Sequence, residues 1–346
     1  MADLNFPERT ARRSIDGLSQ LIGYGREAKW LGDPIEKEHA MYKKILVPLD
    51  GSSIAEVVLP YARAFATVLR IPVHLLQVID PETLIPSGAA EQGRPPNVLT
   101  VEREHNGDYL KEIAASFPDP AAVSSSVRIG KLAEVIVEVA ASQKDTLTAM
   151  ATHGRSGIGR WLLGSVAEKV LHGADNDVML IRATGQIDKK SAAAPLQRLV
   201  VPLDGSELAE KALPCAVELA KKMNLEVVLL QVYLMPGVAY PTGGHAPDWK
   251  LLDHEARQRA SEYLQGKMRQ LRNEGLERVS FKVLEGSAAE KIIDVARENP
   301  DSLIAMSTHG ASGVGRWLLG SITKRVIRHS ETPVLVVRAK RGIAPQ

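Results

Sequence analysis

Two hydrophobic periods alternate along this chain. Runs of strand length, such as Lys44-Ile45-Leu46-Val47-Pro48-Leu49 and Val73-His74-Leu75-Leu76-Gln77-Val78, are apolar at nearly every position. Such runs belong to parallel strands covered by helices on both faces. Between them lie stretches with apolar residues every three or four positions, including Ala55 to Leu69, Leu132 to Ser142 and Val166 to Leu171, which the spacing predicts as helices. A polar helix is expected over Val98 to Ser116, after a Pro- and Gly-rich loop at 81–97, and short strands at Ser125 to Ile129, Leu147 to Met150 and Val178 to Arg182.

The same order then repeats. Strands are expected at Arg198 to Pro202, Val227 to Val232, Ser280 to Leu284, Leu303 to Met306 and Pro333 to Arg338. Helices are expected at Leu208 to Met223, Trp249 to Asn273, Ala288 to Glu298 and Ile322 to Ile327, with a loop at 234–248. Each half reads β-α-β-α-β-α-β-α-β, the pattern of an α/β open parallel sheet with right-handed crossovers. The repetition is sharpest in Thr152-His153-Gly154-Arg155-Ser156-Gly157-Ile158-Gly159-Arg160-Trp161-Leu162-Leu163-Gly164-Ser165, which returns from Thr308 to Ser321 with 12 of 14 positions identical. Asp50 and Asp204 lie 154 residues apart, and Gly154 and Gly310 156 apart, a period of duplicated domains and not of a solenoid. The expected boundaries are an N-terminal extension at 1–41, a first domain at 42–184, a linker at 185–196, a second domain at 197–340 and a tail at 341–346. The linker's small and charged residues predict exposure. In the extension, Ile15, Leu18, Leu21 and Ile22 have helical spacing behind Arg9, Arg12 and Arg13, so the segment reads as a docking arm or a frayed tail.

Composition narrows the function classes. Lys and Arg number 43 against 41 Asp and Glu, a net charge of +2, so no broad field favours nucleic acid or an acidic membrane surface. The single cysteine, Cys215, has no internal disulfide partner and sits in an apolar run. A buried thiol in a reducing, cytoplasmic setting is the expectation. No apolar run approaches the roughly 20 residues of a membrane span.

Candidate chemistry gathers at two loops per half. In open parallel sheets ligands bind at the carboxyl ends of strands where strand order reverses. A five-stranded order 3-2-1-4-5 would set Pro48-Leu49-Asp50, after the first strand, beside the glycine-rich loop after the fourth. Gly154, Gly157 and Gly159 allow peptide N–H groups to approach a ligand closely. Gly164-Ser165 opens a helix whose unpaired N–H groups and dipole favour phosphate. Ser165 and Ser321 read either as hydroxyl donors to that phosphate or as N-caps. Gly159 is followed by Arg160-Trp161, so the loop lacks the P-loop lysine, and the glycine spacing does not fit a dinucleotide fingerprint. Asp50 and Asp204 read as ribose or Mg²⁺ contacts, or as turn residues before the next helix. His153 and His309 are acid–base candidates or structural hydrogen-bonding groups. Arg160 and Arg316 reach phosphate or stay solvated, and Trp161 and Trp317 read as apolar anchors.

The spacing Gly154-x9-Gly164-Ser165 after Met150-Ala151-Thr152-His153, its copy from Met306 to Ser321, and the Val-Pro-Leu-Asp-Gly-Ser opening of both halves resemble the nucleotide motif of the universal stress protein family. The chain is thereby identified as a tandem member. The resemblance implies that Pro48, Leu49 and Asp50, with Pro202, Leu203 and Asp204, surround a ribose. It implies that Val78 and Val232 meet adenine through their backbone and that Met150 and Met306 line the base. Gly154, Gly164, Ser165 and Val166, with Gly310, Gly320, Ser321 and Ile322, would cradle phosphates. Ala151 and Ser307 replace the motif's first glycine.

The implied cofactor is ATP with Mg²⁺, and the implied role is nucleotide-dependent regulation in stress response with an unidentified protein partner. The alternatives are a slow ATPase or nucleotidyl-transferring enzyme of the same α/β class, and a scaffold with vestigial sites. No residue pattern supplies a positioned nucleophile or a catalytic metal cluster. The last strands, Val178 to Ile181 and Pro333 to Val337, are expected to pair between the two halves of one chain, and a homodimer through other faces is compatible with that.

Overall fold

The computed structural model describes residues 41–83, 98–153, 163–183, 191, 193–234, 248–308 and 319–338. Residues Met41–Gln346 form a compact unit of their own. The helix expected near Ile15, and the residues Gly154, Gly157, Gly159, Arg160, Trp161, His309, Gly310, Arg316 and Trp317, lie outside the described residues.

The strands are β1 (Lys44–Leu49), β2 (Val73–Ile79), β3 (Val123–Ile129), β4 (Thr146–Ala151), β5 (Val178–Ile181), β6 (Arg198–Pro202), β7 (Glu226–Tyr233), β8 (Val279–Glu285), β9 (Ser302–Ser307) and β10 (Val334–Val337). The helices are α1 (Leu59–Leu69), α2 (Val98–Ala115), α3 (Leu132–Ala141), α4 (Ser165–Gly173), α5 (Leu213–Met223), α6 (Trp249–Asn273), α7 (Ala288–Arg297) and α8 (Ser321–His329). Both halves have the expected order 3-2-1-4-5, but they do not make two separate sheets. They share one ten-stranded sheet, β3-β2-β1-β4-β5-β10-β9-β6-β7-β8. Within each half the strands are parallel, and the seam is the antiparallel pair β5–β10, with Leu335 opposite Met179. The edges left open by each half thus close on one another.

Alternation along the strands sends successive side chains to opposite faces. Ile45, Val47 and Leu49 join Phe65 of α1, Leu110 of α2, Leu219 of α5 and Leu264 of α6 in one core. Leu46 joins Ile136 of α3, Val170 of α4, Ile292 of α7 and Ile327 of α8 in the other. Each core runs across both halves.

Two expectations require correction. The helix expected over Ala55 to Leu69 is a 3₁₀ turn at Ala55–Val58 followed by α1, and its counterpart is a short helix at Glu207–Glu210 followed by α5. The break has a covalent cause: Pro60 and Pro214 stand in the first turns of α1 and α5, where a proline is tolerated because its missing N–H would have no partner. The linker is also less exposed than its composition suggests. The buried Arg63 guanidinium donates to the Ser191 carbonyl at 2.9 Å, and Ala194 and Leu196 pack against the first core.

Candidate functional site

Proline placement opens the sheet where the site lies. The N–H groups of odd-numbered residues in β1 face β2, as Ile45 shows by donating to Pro72. Those of even-numbered residues therefore face β4. Pairing of β1 with β4 ends at Leu46, so Pro48 sits where no donor is required. The second half repeats this: β6 pairs with β9 only as far as Val200, and Pro202 follows. Beyond these points the neighbouring strands separate at their carboxyl ends and leave a crevice.

The chain then turns sharply in both halves. Asp50 Oδ1 accepts from the Ser52 N–H at 2.9 Å, and Asp204 Oδ1 accepts from the Ser206 N–H at 3.0 Å and its hydroxyl at 2.6 Å. The residue between adopts the left-handed conformation that favours glycine, φ 77° at Gly51 and 85° at Gly205. Both aspartates therefore serve as turn residues.

On the other wall, the Gly164 N–H donates to the Thr152 carbonyl at 2.8 Å, and Gly320 donates to Thr308 at 2.8 Å. These bonds tie each helix start to the end of the fourth strand. A β-carbon on Gly164 would lie 2.6 Å from the Thr152 oxygen, so the close approach requires glycine. The N-caps of α4 and α8 are Gly164 and Gly320, with no side-chain cap bond. Ser165 and Ser321 are thus the first helical residues, and the reading of these serines as N-caps is corrected. Their exposed positions leave the first-turn N–H groups directed out of the helix end.

In the second half, Pro202, Leu203 and Asp204 from the β6 end, Val232 from β7, Met306 and Ser307 from β9, and Gly320, Ser321 and Ile322 from α8 line one cavity of about 290 Å³. Its size is near the lower end of the ~300–1,000 Å³ of small-molecule sites. Ala209, Leu230, Ala288, Ile292 and Thr323 complete the wall and were not among the candidates. Leu230 was readable as the residue two positions before Val232, on the same strand face. Ala288 and Ile292, on α7, depend on tertiary packing. In the first half, Pro48, Leu49 and Asp50 end β1, Val78 lies on β2, Met150 and Ala151 end β4, and Gly164, Ser165 and Val166 open α4. Met150 belongs to the second core with Val78 and Val166 packed against it.

A further repeated pair braces each turn. Tyr109 donates to Glu56 at 3.1 Å, and Tyr263 donates to Glu210 at 2.8 Å, with Lys267 adding a bond to Glu210 at 2.6 Å. Burial, then Glu210 and Asp204, holds the Tyr263 hydroxyl above its ordinary range. The signal was present in sequence, since both residue types recur at the 154-residue offset.

His153 lies two residues beyond β4. Burial, and then the Arg182 cation, lowers its pKa, so the ring is neutral at pH 7, and Nδ1 lies 3.1 Å from the Thr152 hydroxyl. Among the described residues no group of three His, Cys, Asp or Glu side chains is placed to hold a metal, and no helix is long and apolar enough to cross a membrane.

Comparison with known proteins agrees with this architecture. The sequence model of the universal stress protein family matches twice, over residues 41–182 and 195–338. The universal stress protein Rv2623 of Mycobacterium tuberculosis is 28% identical over 303 residues, covering 85% of this chain and 96% of that protein. The universal stress protein MJ0531 of Methanocaldococcus jannaschii is 33% identical over 143 residues, covering 41% of this chain and 82% of that protein. Among solved structures, a universal stress protein from Archaeoglobus fulgidus superposes with a TM-score of 0.59 at 25% identity, covering 86% of this chain and 98% of its own. With two family matches that together span most of one polypeptide, the chain belongs to the universal stress protein family.

Proposed function

We propose that each half of this chain binds an adenine nucleotide, ATP with Mg²⁺, and that occupancy regulates a partner in a cytoplasmic stress response. The observation that carries the reading is the second-half cavity: every described candidate of that half lines it. The wall has the division a nucleotide needs. Leu230, Val232, Ile292 and Met306 are apolar and suit a base, while the α8 N-terminus opposite offers unpaired N–H groups and a favourable dipole for phosphate. No described lining residue is a lysine or arginine, so these N–H groups and the metal would carry the compensation of phosphate charge. Asp204 supplies a hard oxygen for a ribose hydroxyl or Mg²⁺, which is commonly held by one or two carboxylates and the substrate phosphates. In the first half Asp50 and the α4 N-terminus take the same roles.

The test is direct. Freshly purified chain is denatured and any released nucleotide identified by mass and stoichiometry, then the emptied protein is titrated with ATP and Mg²⁺ while its melting temperature is followed. Ligand binding to the folded state alone must raise that temperature, by about 2.7 kcal/mol of stability at a hundredfold excess over Kd. Neither released nucleotide nor a thermal shift would leave the scaffold reading. Multiple turnovers of ATP would convert the regulator into an enzyme.

A further inference from the structure

At the amino ends of the strands, away from the candidate nucleotide sites, the two copies differ in charge. In the second half Arg198 opens β6 and pairs with Glu226 at 3.2 Å and with Glu298 at 4.0 Å. Lys282 on β8 pairs with Glu298 as well, and the Ser280 hydroxyl donates to Glu226 at 3.3 Å. Two carboxylates thus answer two cations in one network. By strand alternation it lies on the sheet face that Val200 and Val228 share with Ile292 of α7.

The equivalent place in the first half keeps a cation and loses both carboxylates. Lys44 stands for Arg198, Pro72 for Glu226 and Ser142 for Glu298. On β3, Ser124 and Ser126 stand for Ser280 and Lys282, and on β2 His74 stands for Val228. His74 Nδ1 lies 2.8 Å from the Ser124 hydroxyl oxygen, and Nε2 lies 2.9 Å from that of Ser126. Burial, then the Lys44 and Arg128 cations, lowers the pKa of this ring, and no carboxylate acts on it in the opposite direction. Among the described residues Lys44 forms no ion pair, and burial alone lowers its pKa.

These groups offer donors and positive charge without an answering acceptor. A neutral imidazole donates from one nitrogen and accepts at the other. The serine that accepts from the ring therefore keeps its own hydroxyl hydrogen for an outside acceptor. Lys44 adds three N–H donors and a full charge. Oxyanions are what such donors bind most strongly, and in the second copy the groups filling this place are carboxylates.

We infer that the first half binds a small oxyanion at Lys44 and the His74–Ser124–Ser126 cluster, in the place that the two glutamates fill in the second half. The site is separate from the candidate nucleotide sites and does not rest on that reading. Lys44 supplies the charge, and His74 positions the two serines. Ser124 is exposed and Lys44 half-buried, so the site is open to solvent and its dissociation constant should be on the order of 1 mM.

The histidine ring NMR signals of the full chain test this while sulfate or glutarate is added at constant ionic strength, with chloride as the balancing anion. The His74 resonances, identified by their absence in His74→Val, should shift saturably with one probe or both, and the tighter probe tells a tetrahedral ligand from a carboxylate. Ser142→Glu restores a carboxylate of the second copy. Tethered at an effective concentration on the order of 10 mM, it should weaken the probe about tenfold, whereas Ser142→Gln should leave binding unchanged. Lys44→Gln should weaken it about threefold.

No saturable shift of His74 with either probe in the wild-type chain overturns the inference. Affinity unchanged in both Ser142→Glu and Lys44→Gln would show an adventitious ion only, and overturns it too. A Ser142→Gln chain that binds as weakly as Ser142→Glu would overturn the argument from charge.

Discussion

Asp177 is the side chain on which the seam between the halves most depends. It is 7% exposed and directly precedes β5. Its Oδ2 accepts from the Tyr42 hydroxyl at 2.8 Å, at the start of the first half, and its Oδ1 accepts from the Arg338 N–H at 2.8 Å, at the end of the second. Asp177→Ala leaves a hydroxyl in a residue only 4% exposed and a half-buried N–H without that acceptor, and removes the carboxylate that acts most strongly on the half-buried Arg338 guanidinium. A hydrogen bond to a charged group contributes about 1.5–3 kcal/mol, so two lost together should cost about 3–6 kcal/mol. Removing one partner of a buried charged pair independently gives about the same, 3–5 kcal/mol. At about 2–4 °C per kcal/mol for a large domain, a loss of about 3–5 kcal/mol should lower the melting temperature by about 6–20 °C. Asp177→Asn keeps an acceptor for one of the two donors and should cost about half as much. Hydrogen exchange supplies a local readout, since the amides of Val334 and Val336 lie in the seam ladder and should lose protection before those of β1. A loss below about 1 kcal/mol in Asp177→Ala, or unchanged protection in β10, would refute the assignment of Asp177 as the clamp.

Four other substitutions test separate parts of the account. Burial, then Cys215 and Asp177, holds the Tyr42 hydroxyl well above its ordinary 10.0. A raised pKa adds stability that is intact below the unfolded value and lost as pH rises through the folded one, so Tyr42→Phe should flatten the fall in melting temperature above about pH 10. A hydrogen bond from Lys324 lowers the Glu168 carboxyl below 4.5, with the Lys324, Arg328 and His172 charges adding. That stability is present above the unfolded value and lost as pH falls through the folded one; because Glu168 is 34% exposed, Glu168→Gln should cost only about 0.2–1 kcal/mol in urea unfolding at pH 7, and less as the medium is acidified. Arg70 ends α1 at φ 54°, a left-handed conformation unfavourable for a residue with a β-carbon, so Arg70→Gly should stabilise by about 0.5 kcal/mol after the entropy of glycine is counted. Gly164→Ala forces a β-carbon against the Thr152 carbonyl, and should lower stability by about 1–3 kcal/mol and remove one of the two proposed ATP sites in titration.

What the sequence made legible follows from which interactions are local. The buried parallel strands announced themselves because both faces must be apolar, and the 3-2-1-4-5 order followed from requiring the Asp50 turn and the Gly164 loop to meet. The proline breaks at Pro60 and Pro214 were visible as letters, but the helical spacing around them masked their effect. Ala288 and Ile292 were out of reach because α7 meets the cavity only after a crossover over the sheet. The Arg63 anchor of the linker was hidden for another reason: an arginine in a helix normally reads as solvated, and here its partners are a carbonyl at 191 and the Ser116 hydroxyl.

The seam also explains why the two copies have diverged as they have. Met179 and Leu335 are equivalent residues and lie opposite each other, so the halves meet about a local twofold axis. Across such an axis each residue faces the surroundings of its own counterpart. Glu168 and Lys324 are equivalent, each the fourth residue of its helix, and they pair at 3.1 Å, with Arg328 adding a contact to Glu168 at 3.4 Å. Two first halves joined in the same way would set Glu168 against Glu168, and two second halves would set Lys324 against Lys324. The attraction between unlike copies is small at this exposure, but the like-charge alternatives are repulsive, and specificity is the difference between them. The main-chain ladder of β5 and β10 carries no such discrimination. Arg182 and Arg338 also face one another's halves, donating to the Arg328 carbonyl at 2.9 Å and to the Leu171 carbonyl, so each half caps the carboxyl end of the other's helix. Charge divergence at equivalent positions therefore directs this seam toward pairing of unlike halves, and their pairing in this chain keeps the two candidate sites on a single sheet.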